Sequence, residues 1–200
     1  MIKIGPKQNR QNVTPSTRDL ARFISPNPNA TSKILWFCEK SGDDLKAQEE
    51  KFAEWENKNP AAVVIDCLEY PYLKDATYLS ALSAAVSCPI LKYQRLASDD
   101  DIFDTRVLGF DGQISPLEDG DKKNFFEIFK LAQSIHFRVI PAVQKKQDWD
   151  IVATASPQFI YLEPGYTDEL PPLVRNSRMN LIGNTDQSQA FKLKCLVEKL

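Results

Sequence analysis

Acidic and amide side chains recur just after short apolar runs. Glu39 follows Ile34–Cys38, Asp66 and Glu69 close Ala61–Cys67, Gln144 follows Phe137–Val143, and Glu163 follows Gln158–Leu162. If those runs are parallel strands, their ends converge into an acidic rim able to bind a cation or a polyol. Solvated carboxylates at strand ends are the simpler reading, and no metal site is expected. The four cysteines (Cys38, Cys67, Cys88, Cys195) form no Cys-x-x-Cys pair, and His136 is the one histidine. That pattern lacks the closely spaced ligands of a zinc site, so the cysteines read as reduced core thiols. There is neither a Gly-x-Gly-x-x-Gly turn nor a phosphate-binding Gly-x-x-x-x-Gly-Lys-Ser/Thr loop. A nucleotide cofactor therefore has no support, and none is expected. Trp36, Trp55 and Trp149 read as packing residues.

The elements that would position these groups alternate in kind. Strands are predicted at Ile34–Cys38, Ala61–Cys67, Pro89–Tyr93, Gly112–Ser115, Phe137–Val143, Gln158–Leu162 and Met179–Ile182. Between them lie helical patterns at Gly42–Asn57, Ala76–Val86, Phe125–Ser134 and Asp148–Ala155, with a helical turn over Leu170–Asn176. A further helix starts at Asp99, where Ser98 can cap it and Asp99–Asp101 place negative charge at its positive end. Gln187–Leu200 reads as a last helix, with Ala190, Phe191, Leu193, Val197 and Leu200 as its apolar set. Strands that alternate with helices argue for a parallel sheet wrapped by helices. The expected architecture is α/β: an incomplete (β/α) TIM-type barrel of about seven units over residues 31–200. A proline-rich N-terminal arm, residues 1–30, precedes it, with one short helix around Thr17–Phe23.

Net charge is −2, and Lys and Arg are mixed among Asp and Glu, which favours neither nucleic acid nor an anionic membrane as partner. The apolar runs are too short to span a bilayer, and Met1–Arg10 is polar and basic with no apolar stretch after it. A cytoplasmic location is the expectation.

Four stretches resemble indole-3-glycerol-phosphate synthase in order and spacing. They are Arg18-Asp19-Leu20 with Ser32-Lys33-Ile34; Glu69-Tyr70-Pro71-Tyr72 with Leu79–Leu82 and Val86–Leu91; Ile102–Asp111 with Arg106 and Gly109-Phe110-Asp111; and Leu131–Ser134 with Arg138–Gln144. The resemblance covers roughly residues 18–145 well and 146–200 weakly. It implies a barrel from the tryptophan-biosynthesis family, whose reaction closes an indole ring by decarboxylation and dehydration. That reaction needs an acidic lysine, carboxylate partners and a phosphate cradle at the strand ends. Here the family positions fall on Phe37, Glu39, Tyr93, Ala142, Leu162, Gly183 and Asn184. Apolar side chains cannot move a proton or orient a group that does. The resemblance thus implies a pseudoenzyme acting in protein interaction or assembly. The alternative is a phosphosugar-binding enzyme of changed specificity, or one with residual lyase activity.

Lys92, one residue from the lysine position, would be rescued by a bulge that turned it inward. Any ligand at the mouth would meet Glu39, Glu69, Tyr93, Gln144, Glu163, Asn184 and Thr185. Gly183-Asn184-Thr185 could attract an anion at a helix N-terminus, although a turn with an Asn or Thr cap is the simpler reading. His136 stands just before strand five, where the family usually has glycine, away from the chemistry. A seven-stranded barrel leaves strands one and seven with open edges. Met1–Ile4, a protein partner or a second copy of the chain is expected to cover them.

Overall fold

Continuous runs such as Ala62–Asp66 and Phe159–Leu162 are buried at every position, the signature of strands covered on both faces. The computed structural model describes residues 16–24, 30–37, 45–68, 76–117, 122–175, 179–189 and 191–199. In chain order the elements are α1 (Leu20–Phe23), β1 (Ser32–Phe37), α2 (Leu45–Asn57), β2 (Ala62–Asp66), α3 (Ala76–Ala85), β3 (Ile90–Tyr93), α4 (Asp99–Val107) and β4 (Gly112–Pro116). There follow α5 (Lys122–Ser134), β5 (Arg138–Val143), a 3-10 turn at Lys146–Asp148, α6 (Trp149–Ala155), β6 (Phe159–Leu162), α7 (Pro172–Arg175), β7 (Asn180–Gly183), a 3-10 turn at Gln187–Gln189 and β8 (Cys195–Lys199). The strands form a closed parallel barrel in sequential order, β1 to β8. This is the TIM-type arrangement.

The end of the chain corrects the expected helix over Gln187–Leu200. Its first residues make only a 3-10 turn, and Cys195–Lys199 is an eighth strand. Cys195 and Val197 face the barrel interior, while the side chain of Glu198 reaches outward to Lys33 and Lys58. β8 pairs with β7 through Ile182↔Cys195 and with β1 from Ser32↔Cys195 to Trp36↔Lys199. The apolar set of this segment suits a period of two as well as 3.6, and the unpaired edges of β1 and β7 decide for the strand. The expected open edges therefore do not exist. The reason for a covering arm or partner goes with them, and Met1–Ile4 lies outside the described residues.

Inside the barrel, Ile34, Trp36, Val64, Leu91, Tyr93, Ile114, Ile140, Phe159, Tyr161 and Ile182 share one core. Leu20 and Ile24 join that core from α1, beside the N-terminal ends of the strands. Two outer clusters fill the space between strands and helices, one around Phe52, Trp55 and Phe110, the other around Phe129, Trp149 and Leu162. The cap expected at Ser98 is a full capping box. Ser98 Oγ accepts from the Asp101 amide at 3.3 Å, and Asp101 accepts from the Ser98 amide at 2.9 Å.

Below the barrel a polar network ties remote segments together. Arg18 donates to the carbonyls of Ser83 (2.7 Å) and Cys88 (3.4 Å). Asp19 caps α1 through the Ala21 amide (3.1 Å) and accepts from Arg138 (2.8 Å). Buried Asp111 accepts from Ser16 Oγ (2.7 Å), the Ile90 amide (3.0 Å) and Arg106 (3.4 Å). Gly109, at φ +100°, makes the turn that delivers Asp111, a conformation that L side chains rarely adopt.

Candidate functional site

In this fold the C-terminal ends of the strands form the mouth where ligands are met. Strand alternation decides which side chains reach it. Trp36 at the end of β1, Tyr93 at the end of β3 and Tyr161 in β6 all turn inward. Their rings pack on one another, Trp36 to Tyr93 at 4.7 Å, Trp36 to Tyr161 at 5.2 Å, and Tyr93 to Tyr161 at 6.4 Å between centroids. Asp66 ends β2 and accepts from the Trp36 indole at 3.3 Å and from the Leu68 amide at 3.2 Å. Glu163 follows β6 and accepts from the Tyr93 hydroxyl at 2.6 Å. These five residues, with Leu68 and Pro164 at the rim, line a cup of about 250 Å³.

Burial pushes the Tyr93 phenol up, and the hydrogen bond to Glu163 and the charges of Glu163 and Asp66 push it further. Burial does the same to Tyr161, again with help from Glu163 and Asp66. Both phenols stay neutral, and Tyr93 serves as a donor to Glu163 rather than as a base. Among the described residues no Lys, Arg or His side chain lines the cup.

The positions expected at the mouth fare differently. Tyr93, Ala142 and Glu163 are buried at the inner strand ends. Phe37 is not there: it faces outward and packs on Trp55 at 5.1 Å. Leu162 likewise points outward, into the cluster that holds Trp149. The inward neighbours are Trp36 and Tyr161. A strand that is apolar on both faces carries no alternation to say which residue faces in, so the resemblance placed both one position off. Lys92 also faces outward. Its ammonium donates to Thr105 Oγ1 at 2.8 Å, and Thr105 donates to Gln113 Oε1 at 3.4 Å. The β2–β3 pairing runs unbroken from Val63↔Ile90 to Asp66↔Tyr93, so no bulge turns Lys92 to the mouth.

Gly183 packs against the outer layer, where an added Cβ would meet Gln187 Oε1 at 2.6 Å. Asn184 and Gln187 bond reciprocally, each amide donating to the other's side-chain oxygen at 3.0 Å. Gln187 also donates to the Glu163 carbonyl at 2.7 Å. Asn184 is thus a turn cap, and exposed Thr185 accepts from Ser188 through its carbonyl. The amides of Asn184, Gln187 and Ser188 are already bonded, which leaves that turn poorly equipped for an anion. Gln144 is exposed and joins the Asp148 cap through its amide. Glu39 and Glu69 lie outside the described residues.

The site members missed in sequence are Trp36 and Tyr161. The alternation Phe159, Tyr161, Glu163 was the available signal for the second. His136 lies at the other end of the barrel, exposed, at φ +55°, which accounts for a position where the family carries glycine. Cys88 and Cys195 are buried thiols pushed up to about 12 by burial, and so stay protonated and inert at neutral pH. Among the described residues no group of three or more His, Cys, Asp or Glu could hold a metal ion. No described helix is long and apolar enough to cross a membrane. A second, larger cavity of about 990 Å³ lies at the base, lined by Arg18, Asp19, Arg22, His136, Arg138 and Gln158 among others.

No protein-family model matches the chain, and no curated protein matches it in sequence. Solved structures do match. A 2-keto-3-deoxy-6-phosphogluconate aldolase from Zymomonas mobilis superposes with a TM-score of 0.60 at 10% identity, covering 90% of this chain and 86% of that one. An HpcH/HpaI aldolase/citrate lyase family protein from Burkholderia cenocepacia gives 0.60 at 11% identity, covering 90% and 91%. A thiamine phosphate pyrophosphorylase from Pyrococcus furiosus gives 0.57 at 8% identity, covering 86% and 87%. The chain therefore has the TIM-type α/β barrel fold that these enzymes share. At such identities the likeness shows the fold alone.

Proposed function

We propose that this chain is a non-catalytic barrel of the indole-3-glycerol-phosphate synthase type, acting as an interaction or assembly component. The observation that carries this reading is the filling of the mouth. Trp36, Tyr93, Ala142 and Tyr161 occupy the inner strand ends, and the three rings close on one another where a substrate would sit. The lysine nearest the family's acid position is held by Thr105 behind the strand. Proton transfer needs a titratable group within hydrogen-bond reach of the reacting atom. The alternative, a phosphosugar enzyme of changed specificity, fits less well, because its phosphate would lie beside Asp66 and Glu163 with no described cation in the cup.

The test is a fluorescence assay for indole-3-glycerol phosphate formation from the carboxyphenylamino-deoxyribulose phosphate substrate. The same samples are followed by thermal shift with that substrate and with inorganic phosphate. The expected outcome is no turnover and no shift. Turnover, or saturable stabilisation by substrate or phosphate, would overturn the reading.

A further inference from the structure

We propose that the cavity at the barrel base docks a carboxylate-rich segment of a protein partner. The inference rests on reading the chain as an interaction component, and it adds the surface used and the chemistry of the partner.

The cavity measures about 990 Å³, near the top of the range for ligand clefts, about 300–1,000 Å³. Its charged lining is Arg18, Arg22 and Arg138 with His136, against Asp19 and Asp111. Both carboxylates are already met by a guanidinium, Asp111 by Arg106 at 3.4 Å and Asp19 by Arg138 at 2.8 Å. Arg18 gives its donors to the neutral carbonyls of Ser83 and Cys88. Arg22 stands exposed near the end of α1, and its charge is felt at Asp19 without a bond to it. Among the described residues neither Arg18 nor Arg22 has an ion pair, so the cavity keeps a surplus of positive charge. Exposed Thr17, Gln133 and Gln158 add hydroxyl and amide donors around it.

The spread of these groups favours a segment over a single small anion. Arg22 lies on α1, Gln133 on α5, and His136 in the turn before β5. An exposed ion pair contributes little alone, so a ligand gains most by meeting several such groups at once. A chain of carboxylates does this, and each can accept from a guanidinium or an amide. Residues 1–15 cannot be that segment, because they carry Lys3, Lys7 and Arg10 and neither Asp nor Glu. In this fold the chemistry sits at the opposite end, which leaves the base available for contact with another protein.

His136 is the one histidine of the chain, and it lines the cavity and is exposed, so its ring Cε1–H resonance is a local reporter. The experiment titrates the untagged full chain at neutral pH and low salt with an end-blocked glutamate octapeptide. A glutamine octapeptide, citrate and inorganic phosphate serve as controls. The expected result is a saturable shift with the glutamate peptide, lost at about 1 M sodium chloride, where the screening length is about 3 Å. Affinity should fall about tenfold in Arg22→Glu, where a cation becomes a carboxylate. Gln133→Glu repeats the test from α5 should Arg22→Glu fail to fold. No saturable shift, an equal shift with the glutamine peptide, or undiminished affinity in the folded variant would overturn the inference. Citrate or phosphate binding as tightly as the peptide would also overturn it, assigning the cavity to a small anion. A flat titration without turnover defeats this inference alone, whereas turnover in the synthase assay defeats the non-catalytic reading.

Discussion

At the N-terminal end of the barrel, α1 lays Leu20 and Ile24 against the interior core, and Arg18, Asp19, Asp111 and Arg138 bond across segments far apart in sequence. At the C-terminal end, three aromatic rings pack together beside two buried carboxylates and leave only a small cup among the described residues. Of the residues that carry the resemblance to the synthase, Arg18, Asp19, Leu20, Arg106, Gly109 and Asp111 belong to the first end, whereas Glu69–Tyr72 lie outside the described residues. The positions to which the resemblance assigns its chemistry belong to the second. In a TIM barrel the base serves stability and the mouth serves ligands. A resemblance built on the base therefore transmits the scaffold and says little about activity.

This contrast can be broken most forcefully at Leu20. Its side chain is 1% exposed and belongs to the barrel core, so Leu20→Ala should cost about 2–5 kcal/mol and lower Tm by about 10 °C. The packing of Trp36 on Tyr93 and Tyr161 at the mouth should survive in the folded fraction. Urea unfolding checks the first statement, and the ¹⁵N–¹H resonance of the Trp36 indole, bonded to Asp66, checks the second. A displaced indole resonance with intact stability would show that the two ends are not separable.

Tyr93→Phe probes the mouth with a smaller expected effect. It removes the 2.6 Å bond to Glu163 and keeps the ring, which should cost about 1–2 kcal/mol. The Trp36 indole resonance should change with it, because Trp36 packs on Tyr93, whereas the base network should not. Amide exchange at Ile90, whose N–H bonds to Asp111, reports on the base independently.

The smallest effect is expected from pH at the base. Burial alone would raise the Asp19 carboxyl, but the bonds from the Ala21 amide and Arg138 outweigh it and hold the group below its ordinary value. A depressed carboxyl stabilises the fold above the unfolded-state value and loses that contribution as pH falls through the folded one. Asp19 is 43% exposed in its ion pair, so the contribution is about 0.5 kcal/mol. Asp19→Asn should flatten stability slightly between neutral pH and the acid range below pH of about 4. An unchanged acid slope would remove Asp19 from the account of the base.

Strands such as β2 and β6 were legible because double burial writes them as continuous apolar runs between turns. β8 was not, because Lys192, Lys194 and Glu198 interrupt its segment and its apolar residues suit two periods. Facing was the harder problem. Phe37 and Trp36, or Leu162 and Tyr161, are equally apolar neighbours, and only the closed register shows which one enters the barrel. Tyr93 and Glu163 could each be placed at a strand end from sequence. Their hydrogen bond joins strands separated around the barrel, and no local pattern encodes it.

The pairing of β1 with β8 also has a kinetic meaning. Ser32 meets Cys195, and Trp36 meets Lys199, so closure joins the two most distant strands in the sequence. Loop-closure entropy must be met before such a contact rewards it, and this places the β1–β8 seam late on the folding path. Until then β1 and β8 are bare edges, the species most exposed to pairing with other chains. Trp36 sits on that seam, so the aromatic floor of the mouth is completed only when the barrel shuts.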